Sequence, residues 1–159
     1  MTREQYITLV ESTQRAFRRF LLALCCGDSQ LADDIAQESY IKAYLGCDGF
    51  ENPDKFGAWI FRIGYNTFLN SRRSRLAVVD YDHAAAIPSA DAADSSFRYQ
   101  ALYAALGKLP ARERSSILLY YMQGYSVKEI AEIEEVSADA VRQHLSRGRT
   151  HLRGLLSPQ

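Results

Sequence analysis

A chain of 159 residues, 47% of them hydrophobic and 24% charged, has the composition of one ordinary globular domain or two small ones, not of a disordered tail. Its 19 basic and 19 acidic side chains cancel, so it lacks the overall positive field that steers a free-standing nucleic-acid binder. No window reaches the ~18 apolar residues of a membrane span, and the opening MTREQYITLV has no signal-peptide pattern. A cytoplasmic protein with no membrane insertion is expected.

The first predicted helix covers 5–24, with Tyr6, Leu9, Thr13, Phe17, Phe20 and Leu24 on one apolar face and Gly27 as its stop. A second covers 29–46. Its apolar positions are Leu31, Ile35, Tyr40, Ile41 and Tyr44, and it opens with the acids Asp33, Asp34 and Glu38. The stretch GCDGFENPDK reads as a loop. A third helix spans 54–75, burying Phe56, Trp59, Ile60, Ile63, Thr67 and Phe68. From Phe56 to Val79 it holds four arginines and no acid.

The texture then changes. Residues 77–96 are rich in alanine, serine and aspartate, with four aspartates and no lysine or arginine, and read as a linker. Helical order returns with Phe97, Leu102, Leu106 and Leu109. Pro110 suits the start of the next helix, ARERSSILLYYMQ, which Gly124 stops. Ser126 and Glu129 form a capping box for the helix after it, and Ser137 is a good N-cap for the last. No strand-like alternation of any length occurs. The fold class expected is all-α: two small helical domains, 1–76 and 97–159, joined by the linker 77–96.

The segment 136–153, VSADAVRQHLSRGRTHLR, concentrates four arginines and two histidines against the single acid Asp139. At ~100° per residue, Val141, Leu145, Gly148 and Leu152 form an inward stripe. Arg142, Ser146, Arg149 and Arg153 line one flank, and Gln143 and Arg147 point away from the core. With the capped helix before it, this is a helix-turn-helix, whose second helix suits a major groove. There Arg pairs with guanine and Gln with adenine, while further arginines hold phosphates. The turn lacks the glycine such turns often have, since Glu134 and Glu135 precede Val136. Glu129, Glu132, Glu134 and Glu135 would repel phosphate, so they are expected to face away from DNA, toward a protein partner.

Cys25, Cys26 and Cys47 make no CxxC pair, and His144 and His151 are spaced by seven, which matches no metal signature. Idle thiols in a reducing compartment are expected, with no metal and no cofactor. There is no P-loop and no nucleophile–base spacing, so no catalytic residue is named and no enzyme is expected.

Three segments in series carry a family resemblance: ADDIAQESYIKAY (32–44), FGAWIFRIGYNTFLNSRRSR (56–75) and LGKLPARERSSILLYYMQGYSVKEIAEIEEVSADAVRQHLSRGRTHLR (106–153). Together the chain resembles a sigma factor of the extracytoplasmic function (ECF) type, the small two-domain branch of the sigma-70 family. The resemblance implies core RNA polymerase and promoter DNA as partners and an anti-sigma factor as an inhibitor. It implies that Asp33, Asp34, Gln37 and Glu38 meet the polymerase. It implies −10 melting and reading by Gly46, Phe50, Trp59, Arg62, Asn66 and Asn70, with Arg72, Arg73 and Arg75 on the DNA backbone beside them. It implies −35 reading by Ser137, Arg142, Gln143, Ser146 and Arg147, with Arg149 and Arg153. A basic residue is frequent in the family where His144 stands.

The bland readings stand beside these. Trp59 suits core packing as well as stacking on an unpaired base. The acids of 33–38 suit the helix dipole. The linker aspartates suit solvation as well as mimicry of an RNA strand. The competing function is a stand-alone regulator using only the helix pair 126–153, which leaves the Trp/Arg/Asn helix at 59–75 without a role.

Overall fold

The computed structural model describes residues 1–78 and 93–157, the side chains of 75–78 and 93–98 excepted. Every regular element among them is helical: α1 (Arg3–Leu24), α2 (Ser29–Gly46), α3 (Phe56–Val78), α4 (Ala93–Gly107), α5 (Ala111–Ile117), α6 (Val127–Glu134) and α7 (Ala138–Leu156). The linker expected at 77–96 is helical at both ends, through Val78 and from Ala93, and its remainder lies outside the described residues, as does the side chain of Arg75. No helix among the described residues is long and apolar enough to cross a membrane.

The helix starts follow from local chemistry. Thr2 and Gln5 make a reciprocal capping box on α1, and Asp28 Oδ1 accepts the Leu31 N–H at 3.1 Å to open α2. Because α2 begins at Ser29, its first turn contains no acid, and Asp33, Asp34 and Glu38 sit too far in to serve the dipole. Cys25 caps α1, and two left-handed residues, Cys26 (φ 55°) and Gly27 (φ 91°), reverse the chain. The loop 46–55 contains two short 3-10 turns, Cys47–Gly49 and Pro53–Lys55.

α1, α2 and α3 pack around an aromatic core. Phe61 meets Phe17 and Phe20 edge-on, with ring centroids 5.5 and 5.0 Å apart. A fully buried ring such as Phe17 or Phe20 is worth roughly 1.5–3 kcal/mol of transfer free energy. α3 approaches α1 so closely at Gly64 that a Cβ there would lie 2.4 Å from Phe17 Cε1. In the C-terminal half, Leu106, Leu119, Ile130, Ile133, Val141 and Leu145 are buried between α4, α5, α6 and α7. Gly148 lets α7 press on α5, since a Cβ there would meet Ile117 Cγ1 at 2.9 Å. The segment expected as one helix from 111 to 123 widens after Ile117 into a π-helical turn, Leu118–Met122, and Gly124 (φ 76°) ends it.

The two halves are in contact. Buried Arg114 donates to three carbonyls: Leu106 O at 2.8 Å, Leu109 O at 3.1 Å and, across the boundary, Leu24 O at 2.7 Å. Burial pulls its pKa below the usual arginine value, while the three backbone acceptors compensate the buried charge. Gln123 donates to Ala16 O at 3.2 Å, and Tyr125 packs edge-on against Phe61, 5.5 Å between centroids. This bears on the first of three departures from the expected faces. Phe61 and Tyr65 are buried though off the expected stripe of α3: α1 and the C-terminal half together enclose Phe61, and the C-terminal half covers that second side of the helix. Trp59 and Ile63, expected inside, are only half-buried. Ile41 and Tyr44, also expected inside, are 61% and 46% exposed.

Candidate nucleic-acid interface

The C-terminal helix pair forms as its caps dictate. Ser126 Oγ accepts the Glu129 N–H at 3.1 Å, while Glu129 Oε1 accepts the Ser126 N–H at 3.0 Å. Ser137 Oγ accepts the Ala140 N–H at 3.1 Å and starts α7. The glycine-less turn is made by Glu135 in the left-handed conformation, φ 58° and ψ 45°. A residue with a Cβ there costs about 1–2 kcal/mol relative to its right-handed form. The Val136 N–H closes the turn on Ala131 O at 3.0 Å.

On α7, Val141, Leu145 and Gly148 are buried and Leu152 half-buried, as the wheel requires. Arg142, Gln143, Ser146, Arg147 and Arg153 are exposed. Arg142 holds Asp139 at 2.7 Å, but both side chains are more than half exposed. Such a pair is worth less than about 1 kcal/mol, so a base edge can replace it. Arg149 is half-buried and donates to Tyr121 Oη at 3.1 Å. With Arg153 it borders an apolar groove of ≈ 680 Å³ floored by Leu106, Leu118 and Leu152. The expected −35 set therefore divides: Arg142, Gln143, Ser146 and Arg147 share the open part of the helix, and Arg149 and Arg153 flank the groove.

His144 turns inward beside Glu134, 3.7 Å away, and its buried Nδ1 has no hydrogen-bond partner. Burial, then the Arg112 charge, hold its pKa below the usual histidine value. It does not stand as a phosphate contact.

Glu134 corrects the expectation that the acids of α6 face a partner. It is buried, and the Ser116 hydroxyl lies 2.9 and 3.0 Å from its two oxygens. Burial pushes its pKa up to about 7, against the lowering by the Ser116 and Ser115 hydroxyls. Glu129 is used in the capping box and Glu135 within the chain, which leaves Glu132 exposed in the expected sense.

On α3, Trp59, Arg62, Asn66, Asn70 and Arg73 fall within about 80° of one another at 3.6 residues per turn. Trp59 stacks on Phe50, centroids 4.5 Å apart and planes 15° off parallel. A Cβ on Gly46 would lie 3.5 Å from Trp59 Cζ2, so Gly46, Phe50 and Trp59 form one corner. Arg62 Nε and Asn66 Nδ2 both donate to Glu135 Oε1, at 3.0 and 3.1 Å. These two bonds, Asn66's first, hold the Glu135 carboxyl below its usual pKa. Asn70 and Arg73 are exposed further along the stripe. Arg72 lies off it, with its charge acting on Cys26 and Arg114 instead.

On α2, Asp34, Gln37 and Glu38 are exposed on one side. Asp33, one turn before Gln37 and with its side chain half exposed, pairs with Arg18 at 3.1 Å. Ile41 and Leu45, 61% and 76% exposed, continue the Asp34/Glu38 stripe at helical spacing. The sequence reading missed their exposure; the signal was that they fall in step with the acids.

Two family matches cover most of the chain: sigma-70 region 2 over residues 9–77 and sigma-70 region 4 over residues 99–152. The chain is 30% identical over 142 residues to the ECF RNA polymerase sigma factor SigW of Bacillus subtilis, covering 80% of this chain and 76% of that one. It is 28% identical over 144 residues to the ECF RNA polymerase sigma factor EcfG of Rhodopseudomonas palustris, covering 89% and 79%. Among solved structures, the sigma factor RpoE of Bartonella quintana, in complex with the anti-sigma factor NepR, matches with a TM-score of 0.78 and 29% identity over 92% of this chain and 93% of that one. CnrH in complex with the cytosolic domain of CnrY matches with a TM-score of 0.65 and 26% identity over 97% and 96%.

Proposed function

The chain belongs to the ECF branch of the sigma-70 family of RNA polymerase subunits, and on that premise we propose how its residues divide the work. It is an alternative sigma factor, which binds core polymerase and directs promoter-specific initiation. Its partners are core RNA polymerase, promoter DNA and an anti-sigma factor. It works in the cytoplasm and supplies no catalytic group of its own, since strand opening asks only for binding surfaces.

The division follows from what each face offers. Residues 1–76 form the polymerase-binding and −10 domain, 77–96 the linker and 97–159 the −35 domain. Asp34, Gln37 and Glu38, with exposed Ile41 and Leu45, give the polymerase an acidic and apolar stripe. α7 enters the −35 major groove, where Arg142, Gln143, Ser146 and Arg147 face base edges. Ser137 and the α7 N-terminus face the backbone. Arg153 and Arg149 serve phosphate only if they leave the groove side.

The observation that carries the −10 assignment is the single stripe on α3. An aromatic pair, an arginine and two amides in line match what a melted strand needs: a wedge, a cation, and groups that both donate and accept. Arg73 extends the stripe for the strand's phosphates, and Arg72 is left out of it. Trp59 serves in two ways, since its packing on Phe50 also stiffens the stacking corner.

Run-off transcription from a promoter library tests this, comparing core polymerase alone, this chain alone and both together. Transcripts only in the mixture, starting downstream of a shared two-part element, are expected. A chain that shifts duplex DNA by itself yet supports no initiation would mark a conventional helix-turn-helix regulator.

A further inference from the structure

We infer that Glu135 is an internal ligand of the −10 face: its carboxylate occupies Arg62 and Asn66 in the free chain and must leave before a melted strand can bind. This rests on the reading of α3 given above.

The geometry is that of a substrate surrogate. One oxygen, Glu135 Oε1, accepts from both Arg62 Nε (3.0 Å) and Asn66 Nδ2 (3.1 Å). These are the donors a phosphate oxygen or a base carbonyl would take, and a carboxylate satisfies them with the same charge-assisted chemistry. The backbone points the same way. Glu135 is one of two non-glycine residues with positive φ among the described residues, at the turn where a glycine would be unstrained. Strain of this kind persists where it serves something, and here it holds the carboxylate against α3.

The contact is also incompatible with the working arrangement. Glu135 lies two residues before Ser137, which starts the −35 helix, so the bond ties the start of that helix to the −10 readers. By their labels the two promoter elements lie about 25 base pairs apart, on the order of 80 Å at 3.4 Å per pair. Both cannot be occupied while Arg62 and Glu135 touch. The contact is suited to release. The Arg62 and Glu135 side chains are 48% and 51% exposed, so solvent screens the pair. Meanwhile Gln123 on Ala16 O, Tyr125 on Phe61 and Arg114 on Leu24 O hold the halves together and keep the carboxylate at high local concentration.

The test uses the full chain without core polymerase. Glu135→Gly keeps the left-handed turn and removes the carboxylate; Glu135→Gln keeps the side chain and removes its charge. Binding is read by fluorescence anisotropy on a labelled single strand carrying the −10 element recovered by the run-off selection. Affinity is expected to rise about tenfold in Glu135→Gly and by less in Glu135→Gln. Equal affinity in wild type and both variants would overturn the inference. Small-angle scattering of the wild type gives an arm that needs no DNA. A radius of gyration near 15 Å supports closure, and one above about 20 Å overturns it, because no closed state then exists to be clamped. Failure of the α3 reading shows separately. If Arg62→Ala with Asn66→Ala leaves core-dependent transcription intact, those residues are not −10 readers, whatever the Glu135 variants do.

Discussion

α3 and α7 each present a basic stripe, yet the two are furnished differently. The α3 stripe combines an aromatic corner, Trp59 on Phe50, with Arg62, Asn66 and Asn70; the exposed face of α7 has arginine, glutamine and serine and no aromatic. An intact duplex hides its base faces and offers only groove edges, for which forked and amide donors suffice. A melted strand exposes its base faces, and a ring can hold them. The stripes differ too in what covers them. Among the described residues Arg142 on α7 is engaged by Asp139, three residues away, whereas Arg62 and Asn66 are engaged by Glu135, from the other half of the chain. On the proposed assignment, the single-strand face is guarded in the free chain and the duplex face is open.

The comparison breaks most completely if either face loses its support. Gly64→Val forces side-chain carbons into Phe17 under α3, and destabilisation by about 3 kcal/mol or more is expected in urea unfolding. A variant as stable as wild type would mean that α3 is not held against α1 in the way described.

Glu134 tests the support of α7 through pH. Its folded pKa, about 7, lies above the ordinary 4.5, so the fold favours the protonated acid. That contribution is fully present below about pH 4.5 and is lost as pH rises through about 7. Relative to Glu134→Gln, wild-type stability should fall by on the order of 3 kcal/mol between pH 4.5 and 8. Parallel curves for the two proteins would place the carboxyl in water.

A third pair of substitutions sharpens the contrast of chemistry. Gln143→Ala should relax selectivity at one −35 base pair, by about 1–3 kcal/mol, and leave the other positions alone. Trp59→Ala should slow promoter opening by a similar amount without changing −35 selectivity. Selection from promoter libraries reads the first and permanganate footprinting the second. The smallest effect concerns Ser137→Ala, which removes the cap of α7 and should cost about 1 kcal/mol of stability, read in the same urea titration.

Much of this was legible in the sequence. The bounds of α2 and the caps at Ser126 and Ser137 follow from local signals, and the inward stripe of α7 from a single period. What was not legible comes from contacts between the halves. Phe61 lies off the apolar stripe of α3, yet it is buried between Phe17 and Phe20 of α1 and Tyr125 of the C-terminal half. Glu134 reads as a surface acid until Ser116, 18 residues earlier, is brought beneath it. The missing turn glycine was visible, but its meaning depended on Arg62, 73 residues away. Ile41 and Tyr44 looked like core because periodicity marks an apolar face without saying whether this chain or a partner covers it.

The most direct test of the division between α3 and α7 compares transcription from an intact promoter with transcription from one pre-melted over its −10 element, using core polymerase with Trp59→Ala or Gln143→Ala. Pre-melting is expected to restore Trp59→Ala toward wild-type output and to leave the Gln143→Ala defect in place. Restoration of both, or of neither, would contradict the assignment of strand opening to α3 and duplex reading to α7.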